Sequence, residues 1–452
     1  MKDNERLLDA IGEADENHVP DLIENASDKP MKTISKARKI AIASGACAAA
    51  LVGAIAINSL NNNDVPITDD PSSSYIDEAF LQLLEEHRIY PQISNIKSEH
   101  TELEPIASDI VFGGMGFEGY MVNDISELDT INPWSADKPL ESLPVYKNLS
   151  IKENCNVAVY LTQEQMEEMT KDAAFCLGVE VTSTSVEILS DITYNPPKEV
   201  ADLPYCVEAV CNGETIGVKT VEIRVFGDGE MSISLMSGNI EEGMRLPDEY
   251  SFTYSNTTDE QAIAVMEYLT DQFKGLLQFE NPAVYSYGDR NIYGERTRDY
   301  YVYDKREDYK QDILSYNFTN TEFCPDDNGN LMMIWINNPL SAAQNLGEYP
   351  IIDAQAATQL LLSGSYITTV PTEYLINGEI TAEAIAKTEL IYRSGSHDAY
   401  YQPYYKFYVA LSDEYHAEGS RPEGIKEYGA FYVPAVESKY LSDISVWDGS
   451  FN

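Results

Sequence analysis

One long uncharged stretch stands out from the mixed hydrophobic and polar pattern of the chain. It runs from Ile40 to Ile57, and none of its eighteen residues is charged. As a helix rising about 1.5 Å per residue it would be roughly 27 Å long, close to the bilayer hydrocarbon thickness of about 30 Å. The stretch therefore predicts a single transmembrane helix over residues 40–57.

The charges on either side of this stretch predict its orientation. Basic residues precede it with no acid among them: Lys32, Lys36, Arg38 and Lys39. Because positive charge is retained on the cytoplasmic side, residues 1–39 are predicted inside the cell and the chain after residue 57 outside. The alternative is a signal peptide cleaved after Ala56. The preceding region is long and acidic for that class, which favours an uncleaved anchor in the cell membrane.

The cytoplasmic tail, residues 1–39, carries a small apolar face. Leu7, Leu8 and Ile11 fall on one side of a predicted helix that ends at Gly12. This surface is too small for a folded core but large enough to dock into a groove of a cytoplasmic partner protein. A disordered tail that only satisfies topology is the alternative.

The opening of the tail also carries a resemblance. Residues 7–13 (Leu-Leu-Asp-Ala-Ile-Gly-Glu), followed by the basic stretch and one span, are similar to the start of Gram-positive membrane proteins with anti-sigma-factor-like tails. Members that bind zinc combine a histidine with a pair of cysteines. This tail has His18 and no cysteine, so no zinc is expected there.

A polar linker and a short helix follow the span. Residues 58–75, rich in Asn, Asp and Ser, are predicted to hold the outer region away from the membrane. The segment 76–140 begins with a helical pattern that ends before Pro91. His87 lies on its apolar face, and we interpret it as a residue at the edge of the core rather than a ligand.

Beyond residue 140 the pattern repeats with a period of about a hundred residues. Thr162-Gln-Glu-Gln165 and Thr258-Asp-Glu-Gln261 are capping boxes that open amphipathic helices. The predicted helices cover residues 163–177, 259–277 and 354–362. Their predicted core faces are Met166, Met169, Ala173, Cys176 and Leu177; Ile263, Met266, Leu269, Phe273 and Leu276; and Ala357, Leu360 and Leu361.

Predicted strands follow each helix, with turns at Asn212-Gly213 and Gly227-Asp228-Gly229. Tyr405, Phe407, Val409 and Leu411 occupy alternate positions, as in a sheet with one buried face. The strands are predicted at 179–189, 205–211, 218–226, 231–235, 299–304, 314–323, 331–336, 388–393, 404–411 and 428–436. The fold class is therefore α+β, with tandem helix-plus-antiparallel-sheet units at 141–247, 248–345 and 346–452.

Two further resemblances concern the outer region. Residues 403–409 (Pro-Tyr-Tyr-Lys-Phe-Tyr-Val) and 431–435 (Phe-Tyr-Val-Pro-Ala) resemble the PepSY-related outer domains of the YycI and YycH type. That resemblance implies a membrane-anchored regulator of a sensor kinase. The stretch from Gly113 through Trp134 to Tyr146 resembles uncharacterised Gram-positive surface proteins.

The charge of the outer region excludes one class of partner. The chain has a formal net charge of −45, and the first 39 residues hold only seven basic and nine acidic side chains. Of the totals of 30 basic and 75 acidic residues, 23 and 66 therefore lie beyond the tail. Such a field repels phosphates, so nucleic acid is not expected as a partner.

No constellation in the sequence predicts catalysis, a cofactor or a metal. Gly114-Met-Gly116-Phe-Glu-Gly119 has the spacing of a dinucleotide fingerprint, but no helical pattern follows it. Residues 326–330 resemble part of a calcium loop, but Asn337 stands where the bidentate Glu is required, so a hairpin turn at Asn328-Gly329 is predicted. Neither His397 nor His416 stands beside an evident nucleophile.

The outer cysteines are odd in number, so they cannot all pair with one another: Cys155, Cys176, Cys206, Cys211 and Cys324. Cys206 and Cys211 are five residues apart on one predicted strand, which points them to opposite faces. Buried free thiols are the expectation.

Together these patterns predict a membrane-anchored, extracytoplasmic protein without enzymatic activity. We expect a regulatory, sensing or scaffold role through binding of a protein or a cell-wall component. The alternative is an extracytoplasmic hydrolase or glycan-binding protein whose site is assembled from scattered residues.

Overall fold

The computed structural model describes residues 87–90, 102–108, 110, 116–150, 159–193, 195–237, 242–291, 293–395, 397–413 and 422–444. All of them belong to one compact unit. The predicted span, the cytoplasmic tail with Leu7, Leu8 and Ile11, and the linker lie outside the described residues. None of the described helices is long and apolar enough to cross a membrane.

The described elements are mixed helices and strands. The helices are α1 Gln163–Leu177, α2 Leu189–Ile192, α3 Asp259–Gln272, α4 Lys274–Leu277, α5 Tyr309–Phe318 and α6 Ala354–Leu362. The strands are β1 Ile106–Ser108, β2 Gly119–Val122, β3 Ser142–Asn148, β4 Glu180–Ile188, β5 Pro204–Asn212, β6 Thr220–Phe226, β7 Met231–Met236, β8 Pro282–Tyr287, β9 Asp299–Asp304, β10 Thr321–Pro325, β11 Leu331–Ile336, β12 Ala343–Pro350, β13 Ile385–Tyr392, β14 Tyr400–Tyr401, β15 Pro403–Ala410, β16 Lys426–Pro434 and β17 Leu441–Ile444.

Eight antiparallel strands form the largest sheet, in the order β4-β5-β6-β7-β11-β10-β9-β8. Each half is a helix followed by four strands, and the halves meet where β7 pairs with β11, with Ile233 opposite Ile334. The sequence predicts separate units at 141–247 and 248–345. The structure joins them in one sheet, because this non-local pairing removes what would otherwise be an exposed edge on each half.

The two capping-box helices form where the sequence predicts them. The side chains of Thr162 and Thr258 each accept a hydrogen bond from the backbone N–H three residues on. In turn, the side-chain oxygens of Gln165 and Gln261 accept a hydrogen bond from the backbone N–H of Thr162 and Thr258. Helix α1 ends at Gly178, whose φ of 66° suits glycine. The predicted helix 259–277 is instead two segments, α3 and α4. It breaks at Phe273, whose ring packs in the core 5.9 Å from Phe323.

Both helices cover the same face of the eight-stranded sheet and share one core. From the sheet it contains Val207, Ala209, Val221, Ile223, Ile233, Leu235, Ile334 and Ile336. Two residues predicted on the core faces of their helices are exposed instead: Ile263 is 37% exposed and Leu360 is 39% exposed. In α3 the buried stripe runs through Ala262, Val265 and Leu269, so Ile263 is turned about 100° from its start.

The predicted strand at 314–323 is wrong. Residues 309–318 form α5, whose first turn is capped by Asp308 through a hydrogen bond from the Gln311 N–H at 2.9 Å. Leu314 and Phe318 are four residues apart and both lie buried on the helix. The strand β10 begins only at Thr321.

The C-terminal region contains a four-stranded antiparallel sheet in the order β13-β15-β16-β2, with α6 packed on β16. As predicted, the side chains of Tyr405, Phe407 and Val409 enter the core of this sheet. The sequence predicts the third unit at 346–452. The sheet also contains β2, and β12 pairs with β3, so residues from before position 150 complete this region.

Two of the predicted turns form at the expected glycines, and a third differs from its prediction. The predicted turns at Gly229 and Gly329 are confirmed, with φ of 94° and 82°. At Asn212-Gly213 the positive φ instead belongs to Gly217, after a 3₁₀ turn at Glu214–Ile216.

The described cysteines are free: Cys176 is half-buried, and Cys206, Cys211 and Cys324 are buried. Cys155 lies outside the described residues.

Candidate binding face

The face of the eight-stranded sheet that points away from α1 and α3 is polar and aromatic; we call it the polar face. Successive side chains of a strand point to opposite faces of the sheet, so the residues that alternate with the buried core residues point to the polar face. The strand register aligns one residue from each strand in a row across the polar face: Ser185, Glu208, Arg224, Ser232, Trp335, Glu322, Tyr301 and Tyr285. The adjacent row contains Val210, Glu222, Ser234, Met333 and Cys324.

An aromatic group lies at the centre of the polar face. The rings of Trp335 and Phe226 stack with centroids 6.0 Å apart, and Tyr205 packs edge-on against Phe226 at 5.8 Å. Trp335 and Met333 are half-buried rather than covered. A large aromatic side chain that keeps exposed surface is the kind of group that dominates binding energies at interfaces.

The charges of the polar face are unevenly balanced. Arg224, half-buried, pairs with Glu187 at 2.8 Å and with Glu208 at 3.4 Å. Within the described residues no ion pair reaches Glu222, Asp299 or Glu322, all half-buried on the same face. The acids near β9 and β10 therefore lack the compensation that Arg224 provides at β5 and β6.

The pKa values reflect this imbalance. Burial, reinforced by the charge of nearby Asp299, raises the pKa of Glu322. Burial and then Asp289 raise the pKa of Asp299. Burial also raises the pKa of Cys324, whose Sγ lies 3.6 Å from Glu322 Oε1, to about 12. The thiol is therefore protonated, and this cluster presents carboxylates, not a nucleophilic sulfur.

A second polar cluster lies on the C-terminal sheet, around Lys406 and Glu118. Lys406 points away from the core of its sheet, and Glu118 directly precedes β2. The Lys406 ammonium donates to Glu118 Oε1 at 3.0 Å and to the Tyr120 hydroxyl at 2.6 Å. The hydroxyls of Tyr120 and Tyr432 donate to the same carboxylate oxygen, at 2.6 and 2.7 Å.

Three tyrosine rings surround this lysine. Its Nζ lies 4.6, 4.9 and 5.8 Å from the ring centroids of Tyr120, Tyr408 and Tyr432. Burial by itself would raise the pKa of Glu118, but the Lys406 charge and the two tyrosine hydroxyls lower it to about 2. The pKa of Lys406 is raised well above its ordinary value despite burial. A lysine used as a base or nucleophile needs a lowered pKa, so this cluster stabilises the fold.

A cysteine, a histidine and an aspartate converge where residues 87–90 meet α1, as they do in some nucleophilic sites. His87 Nδ1 lies 2.7 Å from Asp172, and its ring packs 4.2 Å from Phe175. The Cys176 thiol, however, donates to the backbone oxygen of His87 at 3.4 Å, and burial raises its pKa to about 12. The group holds the half-buried His87 at the edge of the core and lacks a thiolate nucleophile.

The remaining predicted candidates fall in different places. Gly119 opens a strand, not a helix, so the glycine-rich segment lacks the helix that phosphate binding requires. Asp326 accepts hydrogen bonds from the backbone N–H groups of Asn328 and Asn330, which is the predicted hairpin turn. His397 is exposed, near Asp228. His416 lies outside the described residues, and among those described no three ligating side chains group around a metal position.

Comparisons with known proteins give no family for this chain: no family model, curated protein or solved structure matches it. Of the groups described above, the polar face is the candidate binding surface, whereas the Lys406 cluster stabilises the fold. Neither the pair Trp335 and Glu322 nor the pair Lys406 and Glu118 is predicted from the sequence. The alternation in β11 was a usable signal, since Trp335 stands between the buried residues Ile334 and Ile336.

Proposed function

We propose that the protein is a membrane-anchored extracytoplasmic binding protein without enzymatic activity, with a regulatory, sensing or scaffold role. The observation that carries the proposal is the polar face, where Trp335 and Met333 stay half-buried near Glu322 and Asp299, two acids that no ion pair of the described residues reaches. Half-buried carboxylates next to an aromatic surface are costly in an isolated protein. A partner that covers the surface and supplies hydrogen bonds or positive charge removes that cost.

The membrane and cytoplasmic parts of the proposal rest on the sequence. The helix at 40–57 anchors the chain, and the tail docks a cytoplasmic protein through Leu7, Leu8 and Ile11. The resemblance to YycI- and YycH-type outer domains supports a regulatory role. The packing of α6 on the antiparallel strand β16 agrees with the helix-plus-sheet lobes of that type.

Changing Trp335 to alanine is expected to weaken binding at least about tenfold, since central aromatic anchors at interfaces are worth 2 kcal/mol or more. The measurement is recovery of extracytoplasmic proteins and wall fragments by the full-length chain in nanodiscs. Tyr293→Ala is the matched control, because Tyr293 is 76% exposed and lies outside the polar face. Equal recovery by both variants contradicts a role for this face.

One observation favours the alternative of a glycan hydrolase. Glu322 and Asp299 both have raised pKa values and lie near Trp335 and Tyr301, and a carboxyl with a raised pKa can act as the general acid in such enzymes. The same preparations, incubated with wall fragments, decide between the two functions. Turnover by the wild type that Glu322→Gln abolishes supports the hydrolase; intact fragments in both samples support binding alone.

A reporter fused after Ser74 is expected to be active only if it functions outside the cytoplasm. The reason is the cluster of basic residues from Lys32 to Lys39 directly before the span, with no acid among them, and the acidic residues that follow the span. Fractionation of the untagged protein gives the companion measurement: the full-length chain stays with the membrane. A soluble form that begins near Ile57 identifies the stretch as a cleaved signal peptide instead.

A further inference from the structure

The two halves of the polar face differ in the charge of the side chains at equivalent strands, and this difference indicates which ligand the face can bind. The strand order is the same outward from the β7–β11 pair, so β6 and β10 occupy equivalent positions. In the cross-strand row, β6 contributes Arg224 and β10 contributes Glu322. One half therefore contains a guanidinium with its carboxylates, whereas the described residues of the other half supply carboxylates without a cation.

The half with Arg224 shows what arrangement this surface stabilises. The guanidinium lies 5.8 Å from the ring centroid of Phe226 while it pairs with Glu187 and Glu208. A cation over an aromatic face, held by carboxylates at its edge, combines cation–π attraction with charge-assisted hydrogen bonds. The protein uses a comparable arrangement at Lys406, among three tyrosine rings and next to Glu118.

The other half has the aromatic ring and the carboxylates but no cation from the described residues. Trp335 is directly opposite Glu322 on the neighbouring strand, and adjacent strands lie about 4.8 Å apart. An arginine or lysine from a partner can reach both groups at once. We infer that the polar face binds an extended, arginine- or lysine-rich segment of a partner protein, with a basic side chain on Trp335 paired to Glu322 and Asp299.

Charge separates this ligand from the other class that the proposed function allows. A neutral wall glycan can stack on Trp335 but leaves the charges of Glu322 and Asp299 uncompensated, and a phosphate-bearing polymer is repelled by them. A basic segment neutralises both acids. Burial raises the pKa values of these two carboxyls, and a cation that pairs with them lowers those values again, so affinity rises with pH over the range in which the free carboxyls titrate.

The inference rests on the proposed binding function, and its test separates the two. Full-length protein in nanodiscs of zwitterionic lipid is titrated calorimetrically with an alternating Arg-Tyr decapeptide, a Glu-Tyr decapeptide of the same length, and neutral chito-oligosaccharide. We expect only the Arg-Tyr peptide to bind, with an affinity that falls as salt is added. The double variant Glu322→Gln with Asp299→Asn is expected to weaken it by about tenfold or more.

The matched control is Glu164→Gln with Glu267→Gln, which removes the same number of charges from exposed positions on α1 and α3. Its affinity for the Arg-Tyr peptide is expected to equal that of the wild type. Equal weakening in both double variants overturns the inference, because net charge alone then explains binding. Binding of the oligosaccharide and not the peptide also overturns it but leaves the proposed function standing. Binding of neither probe, with no effect of Trp335→Ala on partner recovery, overturns both.

Discussion

Replacement of Lys406 by methionine is expected to lower the free energy of unfolding by about 3–5 kcal/mol, the cost of removing one partner from a buried ion pair. The Lys406 side chain is only 10% exposed, and its carboxylate partner Glu118 is 25% exposed. Methionine fills most of the volume between the tyrosine rings, so the loss comes from the Glu118 carboxylate, left with Arg393 at 3.6 Å as its only ion-pair partner among the described residues, rather than from a cavity. Chemical denaturation of the purified protein at pH 7 measures the difference.

Two further variants isolate the ion pair. The double variant Lys406→Met with Glu118→Gln removes the buried carboxylate as well as the ammonium, so part of the lost stability is expected to return, although Arg393 also loses its pairing with Glu118. Lys198→Met makes the same chemical change at an exposed site and is expected to alter stability by less than about 0.5 kcal/mol. A double variant as unstable as the sum of its single variants contradicts the coupling between Lys406 and Glu118.

The same pair predicts how stability depends on pH. The folded-state pKa of Glu118 is lowered from 4.5 to about 2. The folded form therefore gains stability from the ionised carboxylate above pH 4.5, and this contribution disappears as the pH falls from 4.5 towards 2. Without Lys406, Glu118 loses the largest of the effects that lower its pKa, so that pKa rises. The stability difference between the wild type and Lys406→Met is thus expected to shrink on acidification, and a difference independent of pH contradicts this account.

Local interactions explain which parts of this fold can be predicted from sequence. The Thr-x-x-Gln boxes determine where α1 and α3 begin, because both partners of each cap lie within four residues. The alternation of Tyr405, Phe407 and Val409 identifies the buried face of β15 for the same reason. At 314–323 alternation alone predicts the wrong element, because the local cap at Asp308 begins a helix that runs to Phe318.

The candidate sites depend on contacts between distant residues, which local patterns do not encode. Glu118 receives the Lys406 ammonium from 288 residues away and the Tyr432 hydroxyl from 314 residues away. In the sequence it appears only as one residue of a glycine-rich segment. Likewise Glu322 and Trp335 become neighbours through the β10–β11 register. A prediction of either cluster requires the strand order as well as the strands.

The pairing of β7 with β11 predicts a large loss of stability when a buried residue of the pair is truncated. Ile233 and Ile334 face each other across this pair and are both fully buried in the core that α1 and α3 share. Ile233→Ala is expected to cost about 2–5 kcal/mol, as for other buried isoleucines truncated to alanine. Ile263→Ala is the matched control: its side chain is 37% exposed on α3, so a change below about 1 kcal/mol is expected.

The distribution of that loss tests whether the two halves are one cooperative structure. If the eight strands and both helices unfold together, Ile233→Ala reduces the hydrogen-exchange protection of amides in α1 and in α3 by the same free energy. Helix α3 follows β7 in the chain and contacts β8 and β9, so it loses protection only through the shared core and the β7–β11 pair. Loss confined to α1 and β4–β7, with α3 and β8–β11 unchanged, means that the halves are independent units that merely lie edge to edge.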